Sequence, residues 1–169
     1  MKYILIALIL CFSGCKKENI SFAKIEDNLN NELNLNRAEK LIAKNIVENA
    51  KNFDYQLITS QELEKIINQS NLEIIAVMPR GIYNLGFIEN AKNFEFDKKS
   101  EEEKKRLEFL LGEKENKIIF YDNGDGGAIN ALLLAKEMGY KNLYYLIGNF
   151  SAWKERNYYI SFESPMCCE

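Results

Sequence analysis

Two near-continuous apolar runs, Leu72-Glu-Ile-Ile-Ala-Val77 and Lys117-Ile-Ile-Phe-Tyr121, restrict the fold of this chain more than any other feature. A strand wet on one side alternates apolar and polar residues. These runs do not alternate, so both faces must be covered, the usual condition of parallel strands between two layers of helix. The surrounding sequence fits such a sheet. Gln56 to Ile58 reads as a short strand, and Thr59 with Glu62 caps a helix whose apolar face is Leu63, Ile66 and Ile67. Asn93 to Phe96 reads as a strand, and Ser100 to Leu111 as a charged helix burying Leu107, Leu110 and Leu111. A helix from Ala128 to Met138 stops at Gly139, a strand covers Asn142 to Ile147, and a last short helix covers Phe150 to Arg156. Strands alternating with helices predict a three-layer α/β/α domain over residues 55–160 with a central, mainly parallel sheet. Ahead of it, Leu35, Ala38, Ile42, Ile46, Ala50 and Phe53 recur at steps of three or four, with Leu41 and Val47 widening the stripe. That spacing predicts an amphipathic helix over 37–54, started by a capping box of Asn36 and Glu39. Its polar face mixes acids and bases, which favours packing on the domain over lying on a membrane.

With 169 residues, 47% of them hydrophobic and 28% charged, the chain has material for one ordinary core and no composition of a disordered or multi-span membrane protein. A formal charge of -3 offers no general attraction to nucleic acid, so none is expected as a partner. The absence of histidine excludes imidazole-based triads and imidazole metal sites. Chemistry is left to carboxylates, thiols and backbone groups.

The amino terminus carries a different signal. Lys2 is followed by an almost unbroken hydrocarbon run from Tyr3 to Phe12, then by the small residues Ser13 and Gly14 before Cys15. The pattern is that of an export signal over residues 1–14, and the run is well below the roughly 20 residues of a membrane-spanning helix. Phe12-Ser13-Gly14-Cys15 resembles the lipobox of bacterial lipoproteins, with phenylalanine in place of the usual leucine. That resemblance implies cleavage before Cys15, acylation of this residue, and residence in the bacterial cell envelope at the outer membrane or the periplasmic face of the inner one. A lysine such as Lys16 after the cysteine is compatible with the outer membrane in that group of proteins. The alternative is a simple secretory signal cut nearby. Residues 15–36, rich in Asn, Lys and Glu, read as a tether between lipid and domain.

Processing also changes the cysteine count. Cys11 leaves with the signal and Cys15 takes the lipid, so Cys167 and Cys168, in the tail 161–169, are the remaining thiols and no disulfide framework is expected. With Met166 they offer soft sulfur to a thiophilic metal, or thiols for exchange or sulfur acceptance; two cysteines are too few for a closed zinc site. The simpler reading is a frayed terminus. Tyr144, Tyr145, Tyr158 and Tyr159 are best explained by strand packing near Trp153, and the run Glu101 to Arg106 by a solvated helix face.

Several segments together resemble the rhodanese domain, the sulfurtransferase fold. They are Ile58-Thr-Ser-Gln-Glu-Leu63, Ile74-Ile-Ala-Val77, Gly86-Phe-Ile-Glu-Asn-Ala91, Ile118-Ile-Phe-Tyr-Asp122, and above all Gly139-Tyr-Lys-Asn-Leu143 followed by Gly148-Asn-Phe-Ser-Ala-Trp-Lys154. The likeness runs in order from about Tyr55 to Tyr159. In active members the residue after the central strand is a cysteine that carries sulfur as a persulfide, in a loop that closes on a helix start. The resemblance places Asp122 there, and a carboxylate oxygen cannot form that intermediate. Where the family has Asp-Val-Arg and Gly-His-Ile, this chain has Ala76-Val77-Met78 and Gly86-Phe87-Ile88. The loop Asp122-Asn123-Gly124-Asp125-Gly126-Gly127-Ala128 has two acids and no Lys or Arg, so it should repel an anionic sulfur donor. The phosphatase variant of the fold needs cysteine and, six positions on, arginine; here those are Asp122 and Ala128.

The site therefore reads as degenerate, with no catalytic residue, no cofactor and no metal. Asp122 is expected to fill the backbone N–H cradle itself, as an acidic cap on the following helix. A cation held by Asp122, Asn123 and Asp125 is a weaker option, because the acids are not spaced as in a calcium loop. The implied role is a membrane-anchored binding or scaffold module for an envelope protein partner or a small ligand. The alternative is a divergent sulfurtransferase or thiol or metal handler using Cys167 and Cys168.

Overall fold

The computed structural model describes residues 35–162. Helix α1 (Arg37–Phe53) opens with a full capping box: the Asn36 side chain accepts from the Glu39 N–H, and the Glu39 carboxylate accepts from the Asn36 N–H. Its last turn closes on Asp54 in the left-handed conformation. Strand β1 (Gln56–Ile58) follows, then α2 (Ser60–Ile66), capped by the predicted Thr59 and Glu62 pair. The long apolar runs form β2 (Leu72–Val77) and β5 (Lys117–Tyr121). Between them lie α3 (Arg80–Tyr83), β3 (Phe87–Ile88), β4 (Ala91–Phe94) and α4 (Glu101–Leu111), the last with Ser100 as its cap. After β5 come α5 (Gly127–Glu137), β6 (Leu143–Leu146), α6 (Asn149–Glu155) and β7 (Ile160–Ser161).

Five strands form one parallel sheet in the order β1-β6-β5-β2-β4, and β3 pairs with β7 in a separate antiparallel ribbon. Side chains from the two sheet faces build two cores. One holds Ile75, Val77, Ile118 and Phe120 under α1, α4 and α5, through Ala50, Leu107, Leu111, Ala131 and Leu132. The other holds Ile74, Ala76, Ile119 and Tyr121 under α2, α3 and α6, through Leu63, Tyr83, Phe150 and Trp153. Both faces of β2 and β5 are thus dry, which is why their sequences do not alternate.

Three features differ from the sequence expectation. The fourth strand pairs at Ala91 to Phe94 instead of Asn93 to Phe96, since Glu95 has already turned to accept the Arg80 N–H. Phe53, counted in the apolar stripe of α1, is 48% exposed, because the helix runs out past the core at that point. Helix α3 and the β3-β7 ribbon were not predicted. Among the described residues no helix is long and apolar enough to cross a membrane.

The sheet order has one functional consequence. The chain leaves β2 toward β4 on one side and leaves β5 toward β6 on the other. In open α/β sheets, ligands bind in the crevice outside the carboxyl ends of the two strands where the order reverses, here β2 and β5.

Candidate functional site

The loop 122–128 lies at that crevice, between the end of β5 and the start of α5. Asp122 is fully buried, and its carboxylate is held at both oxygens. Oδ1 accepts from the Gly124 N–H at 2.7 Å and Oδ2 from the Ala128 N–H at 3.0 Å. Ala128 is in the first turn of α5, whose leading N–H groups have no partner within the helix and carry its positive dipole end. Gly126 caps this helix with left-handed backbone and no side-chain bond of its own. The carboxylate of Asp122 supplies what a capping side chain normally would.

The backbone of Asp122 is fixed from the opposite side. Its N–H donates to Asn149 Oδ1 at 3.2 Å, and its carbonyl accepts from the Phe150 N–H at 3.3 Å. Asn149 is 5% exposed, sits at φ 54, and its side chain is also bonded to the buried hydroxyl of Tyr145. Burial pushes the Asp122 carboxyl above its ordinary value; the Ala128 and Gly124 amides pull the other way without cancelling it, and the charge of Asp125 adds to the rise. The Tyr145 hydroxyl is pushed up by burial and next by the Asp122 charge.

Outside the loop lies a cleft of about 290 Å³. Val77, Met78, Pro79 and Phe96 supply its apolar wall, and Glu95, Asp97 and Asp125 its charged groups. Asp125 Oδ1 accepts from the Gly127 N–H at 3.0 Å. Among the described residues no Lys or Arg lines this cleft, so the field of its three acids disfavours anions. A second groove of about 430 Å³ lies between β4 and α4, at Phe94, Arg106 and Phe109, and includes no residue of the loop.

All seven loop residues named from sequence fall at this one place: Asp122 and Ala128 are buried, and Asn123, Gly124 and Asp125 are exposed. The helix starts at Gly127, one residue earlier than predicted. With both Asp122 oxygens committed to amides, the loop presents no free pair of carboxylates from Asp122 and Asp125. Cys15, Cys167 and Cys168 lie outside the described residues. Sequence reasoning missed Asn149, Glu95 and Asp97. The Gly148-Asn149 pair at a strand end is a local signal for left-handed backbone, whereas the two acids after β4 carry no signal of their own.

An open parallel sheet with an amide cradle at its reversal point, closed on a helix start, defines a class of α/β domain built to hold a reactive or charged group there. The comparisons narrow this class. The family model described as "Rhodanese-like domain" matches residues 59–156, and the chain belongs to that family. No curated protein matches the chain significantly. Among solved structures, the Alr3790 protein of Anabaena sp. is 24% identical with a TM-score of 0.54, over 62% of this chain and 82% of that one. The 3-mercaptopyruvate sulfotransferase SseA of Escherichia coli is 18% identical with a TM-score of 0.55, over 64% of this chain and 51% of that one. RPA3614 of Rhodopseudomonas palustris, described as a possible tyrosine phosphatase, is 19% identical with a TM-score of 0.52, over 75% and 95%. At these identities the likeness is one of fold.

Proposed function

We propose that this chain is a rhodanese-like module without sulfur-transfer chemistry, held on a cell-envelope membrane by lipid at Cys15 and acting through binding. The observation that carries the reading is the side chain in the cradle. Asp122 has a carboxylate where sulfur transfer needs a thiol, and both its oxygens are engaged by Gly124 and Ala128. The acids Glu95, Asp97 and Asp125 around the cleft favour a neutral or cationic group over a thiosulfate-like donor.

The test is sulfur transfer from thiosulfate to cyanide by the full chain, with mass analysis for persulfide. The expected result is no turnover and no sulfur adduct. Turnover that disappears in a Cys167→Ser, Cys168→Ser variant overturns the reading in favour of a tail-based sulfur carrier. Anchoring is tested separately by the mass of the amino-terminal peptide from membranes: an acylated Cys15 is expected, and a chain beginning elsewhere overturns it.

A further inference from the structure

The β3-β7 ribbon and the helix before it expose an apolar surface that the cleft does not use. Leu85 is 74% exposed, Phe162 65% and Ile82 38%. They form one patch. Ile82 and Leu85 lie one helical turn apart, with the Leu85 N–H donating to the Ile82 carbonyl at 3.1 Å. The Phe162 ring covers Gly86, where an added Cβ would stand 3.2 Å from it and 2.8 Å from Ile160. Tyr159, 67% exposed, flanks the other end of β7. Single exposed apolar residues need no explanation, but a contiguous group of leucine, isoleucine and aromatic side chains marks an interaction surface.

The position of the chain's entry identifies the occupant. Residues leading in from Cys15 reach the fold at Asn36, whose Nδ2 donates to the Ala152 carbonyl of α6 at 2.7 Å, and at Ala38, whose N–H donates to Glu155 at 3.1 Å. The next anchor along α6 is Trp153, whose Nε1 donates to the Tyr159 carbonyl at 2.8 Å. The chain thus enters the fold beside α6, a helix of the layer that carries the ribbon, before α1 crosses to the other core. Cys15 precedes Leu35, the first described residue, by twenty positions, so lipid at Cys15 keeps the point of entry near the bilayer. Tethering turns a weak surface affinity into an intramolecular event.

We infer that the patch of Ile82, Leu85 and Phe162 seats on the lipid surface, with Tyr159 at its margin, and so fixes the domain's orientation on the membrane. The inference rests on the anchoring proposed above. The contact is apolar, so neutral lipid suffices and salt does not release it.

The experiment uses residues 15–169 with an amino-terminal hexahistidine tag in place of the lipid, held on neutral vesicles containing a nickel-chelating lipid and brominated acyl chains. A Leu85→Trp variant reports on the patch. Phe109→Trp, at an 87% exposed site on α4 in the opposite layer, reports on the far side. Buried Trp153 is common to both. A side chain seated 5–10 Å into the interface meets the bromines, so the added emission of Leu85→Trp should fall by about twofold while Phe109→Trp is unchanged. Phe162→Asp added to Leu85→Trp should restore the emission. Equal quenching at both sites, or none at either, overturns the inference. An emission shift of Leu85→Trp with protein concentration in the absence of vesicles also overturns it, assigning the patch to a second copy of the chain. Because the tag replaces the lipid, oriented quenching without native acylation retains the patch and rejects the lipid at Cys15. Acylation without oriented quenching does the reverse.

Discussion

Glu39 and Arg156 meet at 3.1 Å across 117 residues of chain, with Glu39 fully buried and only 13% of the Arg156 side chain exposed. The other Glu39 oxygen accepts from the Ser60 N–H at 2.9 Å and hydroxyl at 2.6 Å, and Arg156 Nε donates to the same hydroxyl. Glu39 precedes the family-matched segment and Arg156 ends it. The first helix is therefore bonded into the domain as one of its walls. Glu39→Ala removes one carboxylate from Arg156 and the acceptor of the Ser60 N–H and hydroxyl, and should cost about 3–5 kcal/mol. Urea unfolding measures it, and the Glu39→Ala, Arg156→Ala cycle should show clear coupling.

Gly148 separates two kinds of glycine. At φ 77, an added Cβ would stand 2.6 Å from the Ala152 Cβ, 2.9 Å from the Glu39 N and 3.1 Å from the Ala38 carbonyl carbon. Gly139, at φ 90, has nothing within 4 Å. Gly139→Ala should cost about 1–2 kcal/mol, the left-handed penalty alone, and Gly148→Ala roughly 2–3 kcal/mol more from overpacking against backbone. Chemical denaturation of the two variants side by side checks the ordering.

The Asp122 carboxyl titrates above its ordinary 3.8 in the folded chain, facing Tyr145, Asn149 and Asp125. A raised acid value means the native state holds its proton longer than the unfolded state. The contribution of this group is therefore most favourable below 3.8 and declines as pH rises from there through the folded value. Stability of the wild type minus that of Asp122→Asn should fall across this window and level off above it. Denaturation midpoints of both proteins from acid to neutral pH give the curve.

Replacing Asp122 by cysteine puts a thiol at the cradle but leaves the surrounding acids in place. The thiol should react with a neutral alkylating reagent more readily than with an anionic one. Adding Asp97→Asn and Asp125→Asn should raise the anionic rate by roughly 3–10-fold at low salt, with little effect on the neutral rate, and the gain should vanish in high salt. Stopped-flow alkylation at two ionic strengths checks it.

Residues whose environment is set by near neighbours are legible in the sequence alone. Leu72 to Val77 and Lys117 to Tyr121 advertise burial on both faces by their nearly continuous apolar character, and Thr59 with Glu62 is a complete local cap. Phe87-Ile88 and Ile160-Ser161 carry no such pattern: each pair becomes a strand only by meeting the other across the fold. Glu39 was visible as a capping partner of Asn36, but its bond to Arg156 depends on two helix ends converging, which no spacing encodes. The same holds at the site. Asp122 stood out because the rhodanese resemblance places it at the position after the central strand, whereas Asn149 and the acids Glu95 and Asp97 come to the loop and its cleft through the closure of the sheet.

The coupling of α1 to α6 sets a path for mechanical load. Any pull on the chain ahead of Leu35 is taken up at Asn36 and Ala38 by the carbonyl of Ala152 and the carboxylate of Glu155. It passes along a helix whose first residue, Asn149, holds the N–H of Asp122. Strain at the start of α1 and the geometry of the amide ring thus meet on one short helix, α6.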